Sequence, residues 1–155
     1  MLTTGGNGLL LSVPQMDREH LELIAQENEF SAAVDADASR AELEMRLTQL
    51  IGSFGSHFDS EEALMRSNRF PGLKRHIDEH RKLMAQLTGL RDDLGSGVVN
   101  RCFALAQFVG LWTEQHITGS DTDFAHFLQA TGRPDRGPQV CLPSGGNPRG
   151  SSLRW

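Results

Sequence analysis

Apolar residues recur every three or four positions through four long stretches of this sequence, and in three of them the apolar series runs straight through histidines and a glutamate. In the second stretch the series is Leu43, Leu47, Leu50, Phe54, His57, Glu61 and Leu64. In the third it is Leu73, His76, His80, Met84 (or Leu83) and Leu87, and in the fourth Val98, Cys102, Leu105, Val109, Trp112 and His116. This period belongs to a helix with one apolar face, and no stretch alternates as a strand would. The fold class is therefore all-α.

Punctuation residues divide the chain into elements. Pro14 blocks an earlier start, so a first helix is expected from an N-cap at Asp17 to about Val34. A second helix is expected over 39–67, capped by Ser39 or Asp37. A third runs from Pro71 to Leu94, where Gly95-Ser96-Gly97 ends it. A fourth runs from Val98 to Ile117, is broken by Gly119 and Ser120, and is followed by a short helix over 122–131. Short connections make neighbours antiparallel. The expected architecture is an up-down-up-down four-helix bundle with a short extra C-terminal helix. It occupies residues 12–131. Residues 132–155 hold five glycines, four prolines and four arginines against one acid, a composition expected to form a flexible tail.

Polar groups on an apolar stripe need an explanation. Burying an unpartnered imidazole or carboxylate costs roughly 2–7 kcal/mol, and more if it is charged. His57, Glu61, His76, His80 and His116 all carry this cost unless they share a partner. His57 and Glu61 are four apart, as are His76 and His80, so each pair points one way from its helix. The bundle brings them to one level: the end of helix two, the start of helix three and the end of helix four. His20, near the start of helix one, and Asp121, just past helix four, fall at the same end. Seven such groups are too many for one small ion and suit two.

The donor types narrow the ion. Imidazoles suit iron, copper, zinc and nickel, and carboxylates can bridge two ions. Cys102 lies fourteen residues from His116, about 21 Å along a helix, and reads as a small core residue. Five nitrogens with two bridging carboxylates favour six-coordinate iron over zinc, which is usually tetrahedral. Other residues read as ordinary. His126 fits no interval and is expected at the surface. Glu62 is one residue off the stripe and is expected in solvent. Asp123 reads as the cap of the last helix, and Met65 and Met84 as core filler. Gly52 and Gly55 read either as tolerated glycines or as a way to bring helices close or widen a channel.

The matching stretches are MDREHLELI (16–24), HFDSEEALM (57–65), HIDEH (76–80) and WTEQHITGSD (112–121). With them the sequence resembles the hemerythrin family, and its single-domain bacterial branch in particular, over about residues 12–131. The resemblance implies an oxo- or hydroxo-bridged pair of iron ions. His76, His80 and His116 would complete one iron; His20 and His57 would hold the other, with one position open for dioxygen. Glu61 and Asp121 would bridge them. Phe54, Phe58, Trp112 and Ile117 would line the oxygen pocket. One position departs from the family pattern: three residues before the last histidine, where leucine is common, stands Thr113. A hydroxyl there could admit water or hydrogen-bond a bound oxygen species.

These expectations define the function classes. The first is reversible dioxygen binding without catalysis, for storage, delivery or sensing. The second is a di-iron enzyme acting on peroxide, nitric oxide or oxygen. Against it, no Glu-x-x-His of the ferritin-like oxidases occurs; Thr113 keeps it open. The third is an oxygen or redox sensor acting through a partner, which the arginines of the tail could engage. A structural zinc bundle is the fourth. A net charge of −5 with no basic stripe argues against nucleic acid. The apolar run Leu9 to Leu11 is too short for a signal peptide or membrane span, so a cytoplasmic monomer is the expectation. Cys102 and Cys141 make no disulfide framework.

Overall fold

A computed structural model describes residues 9–97 and 101–132. The tail expected beyond 132, Cys141 and the start of the fourth helix at Val98 lie outside the described residues. Four helices form the bundle: α1 (Pro14–Asp35), α2 (Arg40–Asn68), α3 (Leu73–Gly95) and α4 (Cys102–His116), with a shorter α5 (Thr122–Ala130) at the end. There is no strand among the described residues, and no described helix is long and apolar enough to cross a membrane. Helix α1 packs on α2 and α4, α2 on α3, and α3 on α4, which closes the bundle.

The helix ends follow local chemistry, with two corrections. Ser39 caps α2 as expected, accepting from the Glu42 amide at 3.3 Å. Asp17 does not cap α1. The helix starts four residues earlier, with Pro14 in its first turn, where a missing N–H costs nothing. Asp17 instead accepts from the Leu11 amide at 2.7 Å and ties the lead-in to the helix. Asp123 makes no cap either; it sits in the first turn of α5 and pairs with Arg75 at 3.1 Å. Gly72 is required by its neighbour: a Cβ there would lie 2.6 Å from the Phe70 ring. Phe70 in turn packs on Phe124 and Phe127 of α5.

Two apolar clusters fill the interior. The larger holds Phe30, Leu47, Leu50, Phe54, Phe58, Leu87, Leu94 and Cys102, with Trp112 packed against it. The smaller holds Val13, Met16, Ile24, Met65, Ile117 and Phe124 at the end closed by α5. His20, His57, Glu61, His76, His80, His116 and Asp121 are also buried. The larger cluster contributes the neighbours Phe54, Phe58 and Leu83 from their helices and the smaller one Leu64, Met65 and Ile117. The site is thus a polar layer set in a bundle that is apolar on both sides along the chain.

Candidate metal centre

Each of the seven sequence-predicted residues reaches the same buried layer. α1 supplies His20, α2 His57 and Glu61, α3 His76 and His80, and α4 His116. Asp121 arrives by a route the sequence reading missed. Gly119 and Ser120 do not break the chain: residues Ile117–Asp121 form a π-helical turn that runs directly into α5. In an α-helix a residue five positions on would face about 140° away. The wider π turn, with its i→i+5 bonding, brings it back towards the starting face. The Thr122 hydroxyl donates to the Ile117 carbonyl at 2.8 Å, five residues back, within this turn. Asp121 ends fully buried, with Oδ1 3.1 Å from His116 Nε2.

The nitrogens converge. His80 Nε2 lies 3.0 Å from His116 Nε2, which lies 3.2 Å from His76 Nε2. At metal–nitrogen bonds of about 2.1 Å, ligands at right angles sit about 3.0 Å apart and tetrahedral ones about 3.4 Å. The two spacings fall within the range expected of imidazoles that share one ion. Carboxylate oxygens fill in around them. Glu61 Oε2 is 3.0 Å from His76 Nε2 and 3.3 Å from His80 Nε2. Asp121 divides its oxygens: Oδ1 faces His76 (3.3 Å) and His116, while Oδ2 faces His20 Nε2 at 3.2 Å. Two sets of potential ligand atoms result, each within 4.8 Å of one another: Glu61, His76, His80 and His116, and His20, His57 and Glu61. Glu61 belongs to both.

Left to protein atoms alone, this layer is poorly satisfied. Both nitrogens of His20, Oε1 of Glu61 and both oxygens of Asp121 are buried without a hydrogen bond among the described residues. The electrostatics are equally strained. Burial, and then the charge of Asp121, raises Glu61 well above the usual carboxylate range. Burial would raise Asp121 as well, but the imidazoles of His20, His116 and His76 outweigh it and hold it low. Burial depresses His76, His80 and His116, and for His80 the neighbouring imidazoles of His76 and His116 push it further down. Neutral imidazoles aimed at one point beside two carboxylates are what a cation needs. The residues fit a metal.

Three further carboxylates hold the imidazoles in place, and the sequence reading missed all of them. His57 Nδ1 donates to Glu19 Oε2 at 2.9 Å, and His80 Nδ1 donates to Glu62 Oε1 at 3.2 Å. His116 Nδ1 lies 3.2 Å from Glu79 Oε2. A carboxylate can only accept, so the proton stays on Nδ1 and the Nε2 lone pair turns to the centre. Ser60 donates to Glu19 and Ser120 to Glu79, fixing the carboxylates in turn. Glu62 was expected in solvent; it is half-buried because a one-residue step turns it about 100° from Glu61, onto the α2–α3 seam. The available signal was adjacency: Glu19, Glu62 and Glu79 each stand next to a candidate ligand.

The expected pocket residues divide. Phe58 stacks on His80 with ring centroids 3.6 Å apart, and Trp112 stacks on His116 at 4.4 Å. Phe54 packs against both Phe58 and Trp112. Ile117 packs in the smaller cluster with the α5 side chains rather than with these three. Thr113 is buried, and its hydroxyl donates to Oε1 of Glu27 at 2.5 Å. Glu27 is a buried acid that the sequence reading did not single out. His126 is exposed and Cys102 buried, as expected. A Cβ at Gly52 would meet no atom within 4 Å and one at Gly55 only the end of Met84, so neither glycine serves a close helix approach.

Comparison with known proteins agrees with this geometry. The family model described as the hemerythrin HHE cation binding domain matches residues 11–128. Bacteriohemerythrin of Campylobacter jejuni subsp. jejuni serotype O:6 is 26% identical over 112 residues, covering 72% of this chain and 76% of that protein. The bacteriohemerythrin of serotype O:2 of the same subspecies gives the same values.

Proposed function

Because this chain belongs to the hemerythrin family, a helical family of cation-binding domains, we propose that it binds dioxygen reversibly at a non-haem centre of two iron ions. His76, His80 and His116 would hold one iron, and His20 and His57 the other. Glu61 and Asp121, which stand between the two sets, would serve both. The observation that carries this reading is the unequal division of donors: His76 and His116 face Oδ1 of Asp121, and His76 and His80 face Oε2 of Glu61, while His20 faces Oδ2 of Asp121.

When bound, the two irons supply two electrons that can be lent to dioxygen and returned. The chain's own residues decide whether the loan is reversible. Glu19, Glu62 and Glu79 keep protons on the outer nitrogens and away from the centre. Phe54, Phe58 and Trp112 cover the imidazoles with apolar surface, which excludes water and strengthens every charge interaction inside. A site built this way stores, delivers or senses oxygen, in a cytoplasmic monomer.

A second reading has one observation in its favour. Thr113 and Glu27 place a hydroxyl and a carboxyl one helical turn from His116, which suits a di-iron enzyme acting on oxygen, peroxide or nitric oxide. One experiment separates the two. Protein reduced without air is expected to hold two irons per chain and to gain a visible charge-transfer band with oxygen, lost again when oxygen is removed. Oxidation without a reversible band favours the enzyme. One tetrahedral zinc, or no iron, overturns both.

A further inference from the structure

Glu27 is 5% exposed, and its two oxygens differ. Oε1 accepts from the Thr113 hydroxyl, while Oε2 is buried with no hydrogen bond among the described residues. Glu27 also lines an open groove of about 390 Å³ between α1 and α4, beside Asn28, Gly110 and Glu114. On its other side, Thr113 lies three residues before His116 on one helix, and both are buried. The pair therefore joins the groove to the buried side of α4, one helical turn from His116. Among the described residues Glu27 faces no basic partner; burial pushes it up to about 8, so it holds its proton at neutral pH.

We propose that Glu27 and Thr113 form a proton relay from the α1–α4 groove to the pocket at the metal layer, with Thr113 as the inner hydroxyl and Glu27 as the positioning residue behind it. This rests on the proposed oxygen-binding reading and concerns how that binding ends. Oxidation of the reduced centre by dioxygen, with loss of hydrogen peroxide, takes one electron from each of two irons and two protons. In each passage the Thr113 hydroxyl turns away from Glu27 and gives its proton inward. The Glu27 carboxyl, with its proton on the oxygen that faces Thr113, then gives that proton to the Thr113 oxygen, so one O–H bond forms for each that breaks. Water in the groove then restores the proton to Glu27. Two passages supply both protons. A leucine at 113 would break this chain, because it has no atom that can receive and donate a proton.

The test uses the full chain, metal-free and iron-loaded. Infrared spectra of the metal-free protein near neutral pH are expected to show a protonated-carboxyl component that Glu27→Gln removes and Thr113→Val shifts, distinct from any that Glu61→Gln removes. In the iron-loaded, reduced protein, oxidation by air is expected to slow in D2O. Glu27→Gln and Thr113→Val should each slow it at least about tenfold and reduce that isotope effect. Thr113→Ser keeps the hydroxyl and should oxidise close to the unaltered rate, which a merely structural role for Thr113 does not require. A protonated-carboxyl spectrum that Glu27→Gln leaves unchanged overturns the relay. So does a folded Thr113→Val protein that oxidises at the original rate with the original isotope effect. If the relay effects appear but no reversible oxygen band does, the relay stands and oxygen carriage falls. If the band is reversible and the variants change nothing, the reverse holds. A chain that takes up no iron overturns both.

Discussion

Glu79 adjoins His80 in the chain, yet its carboxylate lies 3.2 Å from Nδ1 of His116 on the next helix. The same step repeats around the bundle. Glu19 adjoins His20 and binds His57; Glu62 adjoins Glu61 and binds His80. A one-residue step turns about 100° around a helix, enough to move a side chain from the bundle axis to the seam with its neighbour. Each of α1, α2 and α3 thereby holds a ligand and orients one on the following helix. The centre is built cooperatively, and no helix can shift without disturbing the imidazole beside it.

Removing one orienting carboxylate should weaken metal binding without abolishing the fold. Glu79→Ala is expected to lower metal affinity about 10–100-fold, with Glu22→Ala, an exposed acid on α1, as the silent control. Competitive metal titration reads this directly. Equal affinities for the two variants would mean that Glu79 does not hold His116.

Glu61 should behave oppositely in metal-free and metal-loaded protein. Without metal its burial beside Asp121 is unfavourable, so Glu61→Gln is expected to leave the metal-free melting temperature unchanged or raised. Bound metal stabilises the native state by about 2.7 kcal/mol at a hundred times its dissociation constant. Glu61→Gln should remove most of the gap in melting temperature between loaded and metal-free protein. A gap of the original size would rule out Glu61 as a shared ligand.

Thr113 is tied to Glu27, so replacing it has a stability cost. Thr113→Leu takes the hydrogen bond from Oε1 of a carboxyl whose Oε2 already lacks one, at about 1–3 kcal/mol. Adding Glu27→Met should recover part of that loss, since both polar groups are then gone. Chemical denaturation of the two single variants and the double variant gives the coupling. Strictly additive effects would show that the two side chains do not interact.

Stability should also fall with rising pH through Glu27. Its folded value, about 8, lies above the ordinary value of 4.5 that it has in the unfolded chain. Below 4.5 both states hold the proton and the full contribution is present. As the pH rises the unfolded state ionises first, and stability is lost until the folded group ionises near 8. Denaturation of metal-free Glu27→Gln against the unaltered chain should show the unaltered chain losing ground across that window, by a few kcal/mol in all. Parallel curves would refute the raised value.

The helices and five of the seven inward-facing residues were legible because both follow from local periodicity. Apolar spacing sets which face of α2, α3 and α4 is buried, and His57, Glu61, His76, His80 and His116 lie on that face. Asp121 was legible as a candidate only by its closeness to His116, and its route was misread. Glycine and serine signal a break, but here the backbone bonds of a π turn are kept and α5 continues from it. Glu62 and Asp123 were misread for a different reason. Their partners, His80 and Arg75, stand on another helix, and hydropathy along one helix carries no information about the seam.

The sequence by itself determined the all-α bundle, the buried face of each helix and the donors that face inward, since these depend on residue spacing of three and four. Only the tertiary structure decided how the donors divide around Glu61 and Asp121, which carboxylate fixes which imidazole, and that Thr113 is held by Glu27. Those relations join residues on different helices, some of them tens of positions apart, and they exist only once helix packing sets the distances. The physical reason is range: periodicity acts within a helix, whereas a hydrogen bond or a metal site depends on positions that only packing fixes to within a fraction of an ångström.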